Sequence, residues 1–526
     1  MSNALTIIRS LVIYSLCLPL AIVLGYLLAM PMDAMSFTIV VAALFLPLLP
    51  LLLKYHHLLL VTCWNVTAVL FFLPGRPTLC LVTTGVSFLL SIVQHILNRN
   101  IRFLSVPSVT RPLIFLALII LATAQLTGGL GARLLGGESY GGKRYILLLS
   151  AIMGYFALSS FRVPPGKATF YVALYLLGAI SSVVGNLAPY VSPSFYFIFA
   201  LFPVESLAFM SGGGPGEGLA LRMGGLTIAG SAMVYFILAR HGVRALFNFQ
   251  ETWSLSPIRI RGGLGFNNPW RFFIFIAMIW VSLMGGYRSV AIILAATFLL
   301  QFYLEGLFRT QLLPALLMIG ILVLAISLPM VNRLPITIQR SLSFLPLDID
   351  PIARYAADST TEWRLRIWQQ MLPLVPQYFF IGKGYSINPG ELNLVQDAAE
   401  RGSGDSSESA IVAGDYHSGP LSLIIPLGIF GVIGFLWFLS AGFRVLINNF
   451  RHGEPELRLI NTFLLAYFTV RVLFYFAIFG AFYGELLIFT GLVGLSVSIN
   501  GGMCRAVPVL VEKPAFEHFK LARATR

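Results

Sequence analysis

The chain has 526 residues, of which 57% are hydrophobic and 11% are charged, whereas about 25% of the residues in soluble globular proteins are charged. A water-soluble chain of this composition would expose more apolar surface than it could keep from aggregating, which excludes a soluble enzyme, a disordered linker and a secreted disulfide scaffold. The predicted fold class is therefore all-α, a polytopic integral membrane protein, and the net charge of +14 needs a spatial interpretation before it suggests nucleic acid or any other partner.

Apolar segments long enough to cross about 30 Å of hydrocarbon predict about 12–14 transmembrane helices. Two of the segments, 58–73 and 113–127, are short for a span. An even number of spans places both termini on one side of the membrane. The candidate spans are 11–30, 36–53, 58–73, 78–97, 113–127, 145–161, 168–187, 226–247, 271–287, 289–308, 312–330, 420–443, 459–480 and 484–499.

The distribution of charge between the connections tests this topology. With a cytoplasmic N-terminus, the inner connections, inner span ends and tail carry 21 basic and 6 acidic residues, and the outer connections carry 13 basic and 14 acidic residues. This asymmetry follows the positive-inside rule. It predicts a multi-pass membrane protein with both termini cytoplasmic, an almost neutral outer face and no nucleic-acid partner.

The spans divide the chain into four regions. The longest connection is external, and a structureless loop of that length is uncommon, so we expect short helices in it. The regions are 1–330 with the first eleven transmembrane helices and an external segment 188–225, 331–419 as a large periplasmic loop, 420–500 with the last three transmembrane helices, and 501–526 as a basic cytoplasmic tail.

Within the large loop, Thr361–Gln370 has helical spacing with Trp363, Ile367 and Trp368 on its apolar side. Thr360 or Thr361 is the predicted N-cap of this helix. The stretch 398–413 is small, polar and glycine-containing, which is typical of a mobile lid or a disordered tip.

His417 is the one histidine of seven that this topology places outside. It lies immediately before an apolar span, and the unperturbed pKa of histidine suits proton transfer near neutral pH. Asp415, two residues earlier, is placed to orient the ring. The alternative is an interfacial histidine whose hydrogen bonds are satisfied.

Two arginines on the almost neutral outer face stand next to glycine pairs. Arg222 lies at the outer end of the eighth span and Arg288 at the outer end of the ninth. A guanidinium is permanently charged and binds phosphate through a planar fork, so two of them near one surface could hold a pyrophosphate. The alternative is that each side chain snorkels to lipid headgroups.

Further charged residues are candidates for lining the same site. Arg364 and Arg366 could extend the basic lining from the loop helix, or could belong to a solvated helix face. Arg471 lies well inside a span, where a charge needs a cavity or a partner, and Glu485 is the nearest candidate partner in sequence. Whether Asp348 and Asp350, in a D-x-D pattern, have a role stays open.

The order of these features resembles the O-antigen ligase and polymerase superfamily of bacterial envelope enzymes. The resemblance covers about residues 200–440. It is carried by Arg222-Met223-Gly224-Gly225, Leu283-Met284-Gly285-Gly286-Tyr287-Arg288-Ser289, Arg366-Ile367-Trp368, Pro376, Ile381-Gly382-Lys383-Gly384-Tyr385, His417-Ser418-Gly419-Pro420-Leu421 and Pro426-Leu427-Gly428-Ile429-Phe430-Gly431.

The resemblance implies a class C glycosyltransferase fold in the bacterial inner membrane, with its active site on the periplasmic face. The implied donor is an undecaprenyl-pyrophosphate-linked glycan, held by Arg222 and Arg288, with His417 as the general base. The implied acceptor is a lipid-linked glycan or lipid A core. Membrane lipids, a chain-length regulator and a flippase are the other implied partners, and a direct, metal-independent single displacement without cofactor is the expected mechanism.

Three alternatives remain at this point. The motifs are shared by ligases and polymerases, so they do not decide between lipid A core and another lipid-linked repeat unit as acceptor. A polysaccharide or lipid-linked glycan transporter would instead show midplane charges on several spans and broken helices in paired halves. A protein O-oligosaccharyltransferase would use the same donor with a Ser or Thr acceptor.

Overall fold

A computed structural model gives the architecture of most of the chain. Its description covers residues 34–73, 75–98, 103–128, 141–203, 223–248, 252–254, 265–267, 270–387, 390, 393, 410–412 and 414–506. Six helices in this part are long and apolar enough to cross a membrane, and four shorter apolar helices accompany them. This confirms the predicted all-α polytopic membrane fold. The predicted span 11–30 lies outside the described residues, as do most of the stretch 398–413 and the tail from residue 507.

Helices account for nearly all the regular structure in the described residues. The N-terminal part comprises α1 (Ala34–Cys63), α2 (Leu79–Leu97), α3 (Pro107–Thr127), α4 (Gly142–Leu158), α5 (Ala168–Leu177), which continues through helical turns to Asn186, and α6 (Gly224–His241). A short antiparallel pair of strands, β1 (Thr252–Ser254) and β2 (Gly265–Asn267), precedes α7 (Trp270–Leu283), α8 (Arg288–Leu304) and α9 (Leu312–Ser327). The large loop contains α10 (Ile336–Ser341) and α11 (Pro351–Met371), and the chain continues with α12 (Gly419–His452), α13 (Arg458–Ala477) and α14 (Phe482–Asn500).

One predicted division between spans is wrong. The segments 36–53 and 58–73 are not two helices: α1 runs without interruption to Cys63, and the residues after it form turns. Two histidines at the predicted break form hydrogen bonds to neighbouring segments, which accommodates them within a continuous helix. His56 Nδ1 lies 2.9 Å from Ser87 Oγ, and His57 Nε2 donates to the Leu158 carbonyl at 2.9 Å.

The start of the loop helix was also predicted wrongly. Helix α11 begins ten residues before Thr361, at Pro351, and its N-cap is Asp350, whose carboxylate accepts the backbone N–H of Ile352 at 2.8 Å. Aspartate at the N-cap followed by proline at the first helical position is a strong start signal. The predicted apolar side is confirmed: Ile367 is fully buried, with Trp363 and Trp368 packed around it.

The core of the bundle lies between the C-terminal helices and their neighbours. Helix α14 packs against α4, α12 packs against α3 and α13, and α6 packs against α7 and α13. Buried aromatic rings fill the centre, with the Phe435 and Phe482 ring centroids 5.1 Å apart and those of Phe468 and Phe489 5.4 Å apart. Such tilted and edge-on pairs add to the packing of the apolar helix faces.

The helices separate two groups of polar residues. At the start of α4, the Tyr145 hydroxyl accepts the backbone N–H of Tyr385 from the large loop, and at its end the Leu158 carbonyl contacts His57. Because Leu158 lies 13 residues after Tyr145 in α4, these two positions are about 20 Å apart along the helix. The loop and the residues that the topology places inside therefore lie at opposite ends of the bundle.

Helix α12 is interrupted where the large loop returns to the membrane. Gly428 has φ of 65°, and the N–H of Ile429 donates to the Phe379 carbonyl at 2.7 Å instead of bonding within the helix. The carbonyl of Ile425, which would have accepted that N–H, accepts the N–H of Lys383 at 2.7 Å. Backbone hydrogen bonds thus join the segments around two glycine-containing motifs, 381–385 in the loop and 426–431 in α12, and fix the returning loop to the bundle.

A side chain at Gly428 is expected to disrupt this junction. A Cβ there would lie 2.5 Å from the Phe380 carbonyl oxygen, and the left-handed backbone adds strain, so Gly428→Ala should destabilise the protein by about 1–3 kcal/mol. Thermal unfolding of the purified protein in detergent measures the effect. Gly484→Ala, whose Cβ would meet nothing within 4 Å, is the matched control and should not lower the unfolding temperature. Equal stability of both variants would contradict the junction's role.

Candidate functional site

A cavity of about 530 Å³ lies at the end of the bundle that the large loop covers. The turn before α8, the two loop helices α10 and α11, the segment that leads into α12 and the end of α13 enclose it. The residues that line it are Gly286, Tyr287, Arg288, Ser289, Ile292, Arg340, Phe344, Thr360, Thr361, Trp363, Arg364, Leu365, Trp368, His417, Ala477, Ile478 and Phe479.

Arg288 reaches the cavity because a tight turn ends α7 just before it. Gly286 has φ of 70°, and α8 begins at Arg288. A Cβ on Gly285 would lie 2.1 Å from the Thr227 hydroxyl of α6, so glycine is required for this close packing. The Arg288 guanidinium donates to the Ala357 carbonyl at 2.8 Å and to the Thr361 hydroxyl at 3.0 Å. These bonds attach α11 to the membrane domain.

Two loop arginines share the cavity with Arg288. Arg340, on α10, donates to the Thr360 hydroxyl at 3.0 Å. Arg364, on α11, lies over the Phe479 ring with its guanidinium carbon 5.2 Å from the centroid. Burial, and secondarily the charge of Arg288, lowers the pKa of Arg364 from its usual value, although a guanidinium stays protonated at neutral pH.

The charge of the cavity has one sign. Three guanidiniums line it, so we call it the arginine cavity. Its lining residues in the described part of the chain include no aspartate or glutamate. Arg288 is also the first residue of a 17-residue helix, whose N-terminal end favours negative charge. The cavity is therefore electrostatically suited to an anionic group such as a phosphate or pyrophosphate.

His417 occupies an unusual position at the edge of this cavity. Its φ is 48°, a left-handed conformation that few residues other than glycine adopt. Its ring lies between two aromatic side chains, with centroids 4.7 Å from that of Trp363 and 5.2 Å from that of Phe479. Backbone strain of this kind costs of order 1–3 kcal/mol and clusters at functional sites.

The surroundings of His417 keep its ring neutral near pH 7. Burial lowers the pKa of the imidazole from its usual 6.5, the Asp415 carboxylate raises it, and the Arg364 guanidinium lowers it again, with a net lowering. The Asp415 Oδ2 atom lies 3.6 Å from Nε2 of His417. A neutral imidazole next to a carboxylate can accept a proton and keep the resulting cation stable.

Several buried polar atoms at this cavity have no hydrogen-bond partner among the described residues. They are Nδ1 of His417, Oδ1 of Asp415, Nε of Arg364 and Nε1 of Trp363. Buried polar atoms in folded proteins are almost always paired, so a group of orphaned atoms around one cavity indicates a site for a polar ligand.

The structure brings part of the predicted site together. Arg288, Arg364 and His417 line one cavity, and Asp415 lies beside it. Arg222 lies outside the described residues, two residues before the start of α6. Arg366 is exposed on α11 and is not among the lining residues.

Arg471 lies in a different environment. It pairs with Glu485, the partner that the sequence suggested, and lines a separate cavity of about 270 Å³ together with Tyr235 and Tyr467. The Arg471 and Glu485 side chains are only 13% and 10% exposed, and the pair connects α13 to α14.

The two acidic residues of the D-x-D pattern lie away from the candidate site. Asp350 caps α11, and its backbone N–H donates to the side chain of Gln339 at 2.7 Å. Neither Asp348 nor Asp350 lines the arginine cavity. The described residues contain no group of three or more His, Cys, Asp or Glu side chains placed to hold a metal ion.

Sequence reasoning missed Arg340. It stands in Ile336–Ser341, a six-residue helix without any motif, and only the folding of the loop brings it to Arg288. The available signal was weak: a basic residue in an outer region that is nearly neutral overall. Trp363 was predicted as an apolar packing residue, and the structure adds its contact with His417.

Comparison with known proteins bears on the same part of the chain. Residues 273–436 match a family model described as O-antigen ligase. The matched range includes Arg288, Arg340, Arg364 and His417, which are the arginines and the histidine that line the cavity. No curated protein matches the chain. This match confirms, for residues 273–436, the resemblance to the O-antigen ligase and polymerase superfamily that the sequence predicts.

Proposed function

We propose that this protein is a membrane glycosyltransferase that transfers or polymerises a glycan from an undecaprenyl-pyrophosphate-linked donor on the periplasmic face of the inner membrane. The observation that supports it most is the arginine cavity itself. It combines three guanidiniums with a neutral, strained histidine, and it lies within the range that matches the O-antigen ligase model.

The arginines are assigned to the pyrophosphate of the donor. A pyrophosphate leaving group gains negative charge as its bond to the sugar breaks, and fixed positive charge at that position lowers the barrier. Arg288 and Arg340 are already held by the carbonyl and hydroxyl groups of α11, so little reorganisation is needed when the donor binds. Arg222 is assigned to the same role by its motif.

His417 is assigned to the acceptor. The acceptor hydroxyl oxygen attacks the anomeric carbon of the donor sugar while the bond from that carbon to the pyrophosphate oxygen breaks. The hydroxyl proton passes to His417, and undecaprenyl pyrophosphate leaves. Asp415 stabilises the imidazolium that forms, and Trp363 and Phe479 fix the plane of the ring. The reaction is a single displacement that inverts the anomeric configuration and uses no metal ion.

The acceptor is a lipid-linked glycan for a polymerase and lipid A core for a ligase. Purified protein supplied with the lipid-linked repeat unit alone distinguishes them, because chain elongation then indicates a polymerase, and dependence on added lipid A core indicates a ligase. A divalent-cation chelator belongs in the same assay, since activity that is lost on chelation would contradict the metal-independent mechanism.

Replacing the histidine tests the assignment of the general base. His417→Asn tolerates the left-handed backbone but cannot accept a proton, so we expect the turnover rate to fall by about 10²–10⁴-fold. Binding of the donor and the unfolding temperature should stay close to those of the unmodified protein. Product formation from the lipid-linked donor measures the effect, and near-normal turnover by His417→Asn would exclude this role.

The pH dependence of kcat/KM tests the two charges that act on His417. The base works only when neutral, so activity falls as the pH drops through the pKa of the folded protein. Asp415→Asn removes the influence that raises this pKa and should move the acid limb to lower pH. Arg364→Gln removes an influence that lowers it and should move the limb to higher pH. Shifts in the same direction for both variants would contradict the assignment.

A pair of arginine variants tests the donor site. Arg340→Gln removes a lining guanidinium, and Arg366→Gln removes an equal charge from the exposed part of the same loop. A hydrogen bond to a charged group contributes about 1.5–3 kcal/mol, so Arg340→Gln should weaken donor binding by roughly 10- to 150-fold. Arg366→Gln should change it little. Titration with the lipid pyrophosphate compares them, and equal losses would show that only overall charge matters.

A further inference from the structure

A second and larger cavity lies at the end of the bundle opposite the arginine cavity. Its volume is about 1480 Å³, and it opens between the middle of α1, the connection from α4 to α5, and the end of α6. The topology predicted from charge places this end on the cytoplasmic side. The charged residues and histidines that line it are Lys54, His56, His57, Arg162, Lys167, Arg240, His241 and Glu456.

The lining of this cavity carries an excess of positive charge. Four lysine or arginine residues line it against one carboxylate, that of Glu456, among the described residues. Arg162 also pairs with Glu454 at 3.2 Å, on the exposed rim. Lys54 and Lys167 are both exposed, so their ammonium groups are available to a ligand from solvent or from the membrane surface.

A buried polar atom in this cavity lacks a partner. His57 is 5% exposed, and its Nε2 donates to the Leu158 carbonyl, but its Nδ1 has no hydrogen-bond partner among the described residues. With Nε2 protonated, Nδ1 is an acceptor that suits a ligand hydroxyl or water. The ligand expected here therefore combines negative charge with a hydroxyl-bearing group.

The surface beside the cavity is apolar. On α1, Leu51, Tyr55 and Leu59 follow one another at four-residue spacing and are 56%, 44% and 40% exposed. They form a continuous stripe along one face of the helix, next to Lys54. A soluble anion would not use such a stripe, whereas the acyl chains of a membrane lipid would cover it.

We propose that this cavity binds the phosphate headgroup of an anionic phospholipid, with the acyl chains on the apolar stripe of α1. The basic residues hold the phosphate, and the glycerol hydroxyl of a phosphatidylglycerol headgroup reaches His57. Basic pockets between helices at the cytoplasmic side are suited to such headgroups. This site is separate from the arginine cavity, and its existence does not depend on the proposed glycosyl transfer.

Lipid titration of the full-length protein tests the proposal. Protein purified in mild detergent and stripped of lipid is titrated with phosphatidylglycerol, and the rise in unfolding temperature gives the apparent affinity. Because each basic residue near an anionic headgroup contributes roughly fivefold, Lys54→Gln/Lys167→Gln should weaken the affinity by about tenfold or more. Both side chains are exposed, so the lipid-free unfolding temperature should not change.

The control variant removes the same charge at the same end of the bundle. Arg444→Gln/Arg451→Gln replaces two exposed arginines near the end of α12 that do not line the cavity, and it should bind lipid like the unmodified protein. Equal stabilisation by phosphatidylcholine would overturn the proposal, as would equal losses in the two double variants. Stabilisation by glycerol 3-phosphate at matching concentration would identify a soluble phosphate compound as the ligand and exclude the lipid.

Discussion

The arrangement of the site depends on one constraint, which is that backbone groups within a membrane must be paired inside the protein. Helix α12 breaks at Gly428, and the carbonyl of Ile425 loses the helical partner that an unbroken helix would provide. The returning loop supplies the missing partners through Lys383 and Phe379. The break therefore creates a backbone attachment that holds the returning segment of the loop against the bundle.

The other end of the loop is attached through side chains. Arg288 donates to Ala357 and Thr361, and Arg340 donates to Thr360, so both guanidiniums bind the middle of α11. Each of these two guanidiniums positions the loop helix α11 and is also available to bind an anion. The orphaned Nε of Arg364 shows that the third guanidinium keeps a free donor among the described residues. A ligand phosphate would compete for or extend these contacts, which couples loop position to occupancy.

The sequence identified the site residues whose motifs flank apolar spans, because hydropathy fixes where a span ends. Arg288 and His417 were found in this way, and Ile367 was found from helical periodicity. Arg340 was missed because its position depends on how the loop folds, which periodicity cannot reveal. The division of α1 at Lys54 was wrong for a related reason, since hydropathy registers charge but not the tertiary hydrogen bonds of the neighbouring histidines.

The basic residues are distributed differently at the two ends of the molecule. At the end opposite the loop, lysines and arginines are numerous and mostly exposed, which is the pattern of residues that fix topology and contact lipid headgroups. At the loop end charge is balanced overall, so a cavity with three guanidiniums and no carboxylate among its described lining residues is a local departure. Keeping three like charges together costs free energy in the absence of an anion. An anion bound between the guanidiniums would offset this repulsion, so the cavity favours an anionic ligand over a neutral one.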